Sequence, residues 1–194
     1  MKLDNKSQDP KIGGVYAHYV LFVLLIVFIF NFIDRNILAI LSQDIQEDLG
    51  IGDAEMGFLY GTVFALFYAV FGIPLARFAD VWVRRSLISG GLFFWSLMTA
   101  LSGLAQSFPT LAMLRIGVGV GEASATPAAY SMLADYYSPN VRATVLAIYS
   151  SGAYIGGGIG LFLGGFLLDT WTTWFPDPAD APLQLKGWQA AFMA

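Results

Sequence analysis

The chain has 194 residues, of which 57% are hydrophobic and 12% charged, about half the ~25% charged fraction of a soluble domain. That supply cannot cover an ordinary water-facing surface, which argues against a soluble enzyme or a disordered tail. The net charge of −4 offers nothing to a nucleic-acid backbone, and the absence of cysteine removes disulfide frameworks, thiolate catalysis and Cys-ligated metal sites.

What remains is a polytopic membrane protein, because a bilayer core needs about 20 apolar residues per helix. Residues 1–16 carry Lys2, Lys6 and Lys11 and form a cytoplasmic tail. Asp4 and Asp9 interrupt this tail and no cleavage site follows, so it is not a signal peptide. The first span is predicted over 17–42, since Val15 to Ile33 holds no charged residue. His18, the only histidine, lies at its start, at the interface rather than in a ligand set. The second span covers about 55–78, with Tyr60, Phe64, Phe67 and Phe71 at helical spacing. These rings suit either an acyl chain or plain packing against core and lipid. The uncharged tract from Ser86 to Leu114 contains Gln106-Ser107-Phe108-Pro109. Because proline disfavours helix at the preceding residue, the tract splits into spans at 86–105 and 110–137. The fifth span covers 142–168, and Asp169 to Gly187 reads as a long aromatic, proline-rich loop with Trp171 and Trp174 at the bilayer interface. Trp188 to Ala194 opens a sixth apolar helix that stops at once, which is expected of the first part of a longer transporter-like chain.

Lysine and arginine placement sets orientation. Arg77, Arg84, Arg85 and Arg142 fall on the same side as the tail lysines. The other side has Lys186 among Asp44, Glu47, Asp48, Asp53, Glu55, Asp169, Asp177 and Asp180. The N-terminus is therefore expected in the cytoplasm of a plasma membrane, or of the inner membrane in a bacterium.

Four ionisable residues are left at membrane depth: Asp34, Arg35, Arg115 and Glu122. Each costs at least ~2.5–3.5 kcal/mol to insert, which makes it a functional candidate by default. Asp34 and Arg115 come to the same depth on antiparallel helices and are expected to face each other or share a water-filled cavity. Glu122 follows Arg115 by nearly two turns on the same face, about 10 Å deeper. It is the best proton carrier, because burial penalises its charged form while a nearby cation favours it. Asp34 is the second candidate for proton coupling. Arg35 and Arg115 keep their charge and would hold an anion or reset the acids. A purely structural ion-pair cluster is the competing reading, weakened by how poorly buried pairs repay desolvation.

In span five Gly152, Gly156, Gly160 and Gly164 recur every four residues, with Gly157, Gly158 and Gly165 beside them. Such spacing lets membrane helices approach closely or slide. Gly117, Gly119 and Gly121 follow no strand, so a nucleotide-binding reading fails. Pro74 and Pro127 are expected to kink spans two and four.

The connection G-I-P-L-A-R-F-A-D-V-W-V-R-R (Gly72–Arg85) resembles the signature loop of the major facilitator superfamily, in which an acid follows span two and a basic pair opens span three. Ala76 and Val83 replace two of its glycines, and Val81 its basic residue. L-A-M-L-R-I-G-V-G-V-G-E-A (Leu111–Ala123) is similar to the superfamily's fourth-helix arginine motif, and A-D-Y-Y-S-P-N-V-R-A (Ala134–Ala143) to its next loop. Span five lacks the proline of the usual antiporter motif. D-R-N-I-L-A (Asp34–Ala39), taken with the fourth-helix motif, resembles the Spinster family of lipid transporters. The resemblance implies an all-α, N-terminal six-helix bundle with five complete spans and a truncated sixth, to be joined by a C-terminal six-helix half. It also implies transport of sphingosine phosphates or lysophospholipids, driven in some members by protons, and no cofactor or metal.

From local physics, Asp80, Arg84, Arg85, Asp135 and Arg142 would form a cytoplasmic gate. Asp80 would favour the N-terminus of span three, and the arginines would pair with Asp80 or Asp135. Exposed pairs are worth only ~0–1 kcal/mol each, which suits a reversible latch. The expected function is proton-coupled alternating access around Asp34, Arg35, Arg115 and Glu122, with a lipid-like anion as cargo. The alternatives are a symporter of a small organic or sugar-acid anion, an intramembrane enzyme using Asp34 and Glu122 as an acid pair, or a channel.

Overall fold

A computed structural model describes residues 14–194; the tail lysines and acids used above lie outside the described residues. The apolar runs fold as α1 (Val15–Ile40), α4 (Phe64–Val81), α5 (Arg84–Ser102), α6 (Phe108–Glu122), α7 (Ala125–Tyr136) and α8 (Pro139–Trp174). Short helices α2 (Ser42–Leu49) and α3 (Asp53–Gly57) follow α1, and α9 (Gly187–Met193) ends the chain. Between α3 and α4 the backbone forms a π-helical turn over Phe58–Val63. By length and composition alone, Val15–Ile40, Asp53–Val81 and Pro139–Trp174 suffice to cross a membrane.

Several boundaries differ from the sequence expectation, each for a local reason. The fourth span is not one helix: it breaks at Ala123-Ser124 into α6 and α7. Pro127 has no N–H to offer the Ala123 carbonyl one turn back, and the Ser124 hydroxyl bonds the Gly121 carbonyl at 2.8 Å. By contrast α4 runs through Pro74 to Val81 without interruption. Asp80 therefore stands in the last turn of α4, at the negative end of its dipole, and α5 begins at Arg84 after an extended Val83. The fifth span continues past Leu168 to Trp174, so the outer loop is shorter than expected and contains two 3-10 turns, Pro178–Asp180 and Pro182–Gln184.

The glycine stripe determines the tightest pairing. A Cβ at Gly156 would collide with the Ile29 carbonyl oxygen and come 2.8 Å from Phe32 Cβ; one at Gly160 would lie 3.0 Å from Ile33 Cα. Gly152 and Gly164 meet the side chains of Leu25 and Ile40, so α8 lies along α1, with backbone nearly touching backbone at Gly156 and Gly160. Gly158 and Gly165 have nothing within 4 Å. On the other pair, Gly121 of α6 takes Trp95 and Gly91 of α5, and Gly119 takes the Phe64 backbone of α4.

Two apolar clusters fill the bundle. One joins Ala17, Val20 and Leu24 to Ala128, Leu133, Val145 and Tyr149; the other joins Ile37, Leu38 and Leu41 to Leu59, Leu111, Trp188 and Phe192. A smaller one of Phe64, Trp95, Val118 and Ala125 lies between them, level with the membrane charges. At the acidic end, Asp48 of α2 accepts from Lys186 and from Trp188 Nε1 (2.8 Å), and Trp171 Nε1 donates to the Leu185 carbonyl at 3.0 Å. Trp171 thus ties down the loop, while Trp174 stays exposed.

Candidate functional site

α1 supplies consecutive residues Asp34 and Arg35, and α6 supplies Arg115 and Glu122. Neighbouring side chains on a helix diverge by about 100°, so only one of the α1 pair can address α6 squarely. That residue is Arg35. Its Nε donates to Glu122 Oε2 at 2.9 Å, forming an ion pair whose glutamate is completely buried. Asp34 turns toward α5 instead. It lines a cavity of about 610 Å³ with Trp95, Ser96, Thr99 and mostly apolar neighbours such as Ile33, Leu92 and Leu163.

The expected confrontation of Asp34 and Arg115 takes another form. Arg115 Nη2 donates to the backbone carbonyl of Asp34, at 3.4 Å, not to its carboxylate. The two side chains also line different cavities: Arg115 joins Arg35 in one of about 340 Å³, with Phe32, Asn36, Tyr60, Gly61, Phe64 and Ala65.

Burial makes this arrangement costly. Arg115 is 2% exposed, yet its Nε and Nη1 have no hydrogen-bond partner, and neither has Glu122 Oε1. A buried guanidinium with unpaired donors is strongly disfavoured unless something else meets them. Arg35 is better housed. Its guanidinium carbon lies 4.3 Å from the Phe64 ring centre, 5.0 Å from that of Tyr68 and 5.2 Å from that of Phe32, an aromatic cage suited to a cation. Tyr68 is held in turn by its hydroxyl, which donates to Thr126 Oγ1 at 3.1 Å.

Sequence reasoning passed over Tyr68 and Phe32 and treated Phe64 only as packing or a tail contact. The signal lay in spacing. Phe64 and Tyr68 are four apart on one helix, and Phe32 is three residues before Arg35 on its own face. Phe67 and Phe71 stack on each other outside this cage. His18 is exposed, with its ring edge-on to Tyr137.

At the basic end, Arg84 pairs with Asp135 and its Nε donates to the Ala79 carbonyl at 3.3 Å. Arg142 does not find a carboxylate. Its Nη2 donates to the carbonyls of Ala134 (2.8 Å) and Tyr137 (3.4 Å), where the last turn of α7 leaves acceptors free. Asp80 and Arg85 take part in none of the ion pairs among the described residues.

Comparison with known proteins places this geometry. Residues 23–194 match the model of the Major Facilitator Superfamily. The chain is 36% identical over 155 residues to an MFS-type efflux pump of Mycolicibacterium smegmatis, covering 79% of this chain and 36% of that protein. It is 32% identical over 136 residues to a probable L-galactonate transporter of Escherichia coli, covering 69% and 30%. The crystal structure of a bacterial homologue of the human lysosomal transporter Spinster, inward-facing and occupied, superposes with a TM-score of 0.85 at 37% identity, over 93% of this chain and 41% of that one. The chain spans about a third of the length of these curated relatives, 36% and 30%. It belongs to the Major Facilitator Superfamily and resembles Spinster; its family and fold are those of multi-pass membrane transporters.

Proposed function

We propose that this Major Facilitator Superfamily chain forms part of a proton-coupled secondary transporter working by alternating access, whose cargo is an amphipathic organic anion. The observation that carries this reading is Arg115: buried, charged, left with two unpaired donor atoms, and lining one cavity together with Arg35. A guanidinium fork matches a carboxylate or phosphate in two hydrogen bonds. When such an anion enters, it takes the free donors of Arg115 and competes with Glu122 for Arg35. Glu122, released from its partner in a dry setting, binds a proton. Departure of the anion restores the Arg35–Glu122 pair and expels the proton, with Asp34 as a second proton site.

An anionic lipid such as a lysophospholipid or sphingosine phosphate fits first. Its head would meet the arginines and its tail would follow apolar helix faces, and the similarity to Spinster supports this. Asn36 and Tyr60 in the same cavity favour a second cargo, a small hydroxylated anion, in keeping with the galactonate-transporter relative. The N-terminus lies in the cytoplasm of the plasma or inner membrane, and the Arg84–Asp135 pair latches the cytoplasmic side with Asp80, Arg85 and Arg142 around it. A C-terminal six-helix half completes the pathway.

The test is transport by the full-length protein in vesicles, with a lysolipid and with a sugar acid, each with and without a pH gradient. Gradient-dependent flux of the lysolipid supports the first cargo and of the sugar acid the second. No flux of either, or flux indifferent to the gradient, overturns the reading.

A further inference from the structure

The backbone that carries Tyr60 is a π-helical turn, Phe58–Val63, and such turns are rare and frequently mark functional sites. Its effect on the helix is to change phase. Leu59 and Phe64 are both buried, Leu59 against the Leu111 cluster and Phe64 against the Val118 cluster, so both face α6. In a continuous α-helix, residues five apart diverge by about 140°. A turn that closes on the fifth residue brings them back to one side. The same turn brings Tyr60 and Gly61 to the cavity wall beside Phe64, Ala65, Arg35 and Arg115. Tyr60 remains half exposed there, with no hydrogen bond for its hydroxyl among the described residues. On the α1 wall, Asn36 lines the same cavity; its amide nitrogen donates to the Phe32 carbonyl at 2.7 Å, and its oxygen has no hydrogen-bond partner among the described residues.

We propose that Tyr60, set by the π turn, is a specificity-determining residue of this cavity, reading with Asn36 a hydroxyl that the substrate carries next to its anionic group. The inference rests on the reading of Arg35 and Arg115 as the anion site. The guanidinium groups hold the charge and are indifferent to what adjoins it. The phenol hydroxyl donates or accepts, and the carboxamide oxygen accepts, so together they satisfy a substrate O–H from two sides. An anion lacking that hydroxyl leaves the Asn36 oxygen and the Tyr60 hydroxyl without partners, the loss on which polar specificity is built. A lysolipid headgroup and a free sugar acid share this hydroxyl-beside-anion chemistry.

The experiment is binding to the purified full-length protein of two matched pairs, each differing by one hydroxyl. The first is lysophosphatidic acid against its 2-deoxy counterpart, and the second gluconate against 2-deoxygluconate. The wild type is expected to prefer the hydroxylated member of at least one pair by about tenfold, and the pair that shows it identifies a lipid headgroup or a free sugar acid as the source. Tyr60→Phe, which keeps the ring, and separately Asn36→Ala, should each reduce that preference to about threefold or less. A preference that survives both substitutions overturns the assignment. Equal binding within both pairs also overturns it, while leaving the anion site standing; no binding of any of the four removes the anion site and this inference together.

Discussion

Arg35 has two attachments of different kinds, an ion pair through Nε and an aromatic cage around its plane, whereas Arg115 has one weak bond to a carbonyl. Only the second arrangement is unfinished, and so the two arginines should respond differently to substitution. Replacing Arg115 by Ala removes the donors available to an anion. Losing one partner of a buried charged contact costs about 2 kcal/mol or more, so apparent affinity for the transported anion should fall at least ~30-fold. Arg115→Lys keeps the charge without the planar fork and should recover part of the loss. Concentration dependence of uptake measures both; an unchanged half-saturation in Arg115→Ala would contradict the anion role. That Asp34, Arg35, Arg115 and Glu122 sit within long apolar helical stretches was plain in the sequence. Which acid met which base was not. Asp34 and Arg35 differ by one residue and therefore by about 100° of helix phase, and depth arithmetic carries no phase.

The elements show the same division. Gly152, Gly156, Gly160 and Gly164 announced a close helix contact by their spacing, and the contact exists along α1. Gly158 and Gly165, which stand beside that repeat and not in it, face open space. This difference is testable in one protein. Gly156→Val would press into the Ile29 carbonyl and Phe32, and overpacking of this kind costs about 1–3 kcal/mol. Its melting temperature in detergent should drop by several degrees. Gly158→Ala meets nothing and should leave melting unchanged or raise it slightly. Equal effects at the two positions would contradict the packing described. The π turn was not legible, whereas the break at Ala123-Ser124 answers to the kink expected of Pro127 in span four. Gly61 permits a π turn without compelling one, and nothing else in the Phe58–Val63 run marks it. The extension of α8 to Trp174 was missed because Asp169 and a run of threonines and tryptophans look like loop, though an outer helical turn needs no apolar face.

For the whole molecule, the site lies between two apolar clusters, with a basic end and an acidic end beyond them. The Arg84–Asp135 pair is solvent-exposed and worth at most ~1 kcal/mol. A latch of that size shifts a two-state balance by a few-fold without locking it. Arg84→Glu in the full-length protein should move the distribution of spin-label distances across the basic end toward the open form, and the added Asp135→Arg exchange should restore it. Distances indifferent to the single change, or unrestored by the double one, would remove the latch. The family and the bundle were readable from the uncharged runs, the charge asymmetry and the Gly72–Arg85 connection. Cargo was not, since the same two arginines serve any anion.

Proton coupling through Glu122 is the claim on which the rest depends, and uptake by vesicles containing full-length Glu122→Gln, driven by a pH gradient, examines it directly. Glutamine keeps the size and a hydrogen-bond acceptor for Arg35 but cannot exchange a proton. Gradient-driven accumulation should vanish while the protein remains folded and still exchanges anion at equilibrium; accumulation at the wild-type rate would contradict the account.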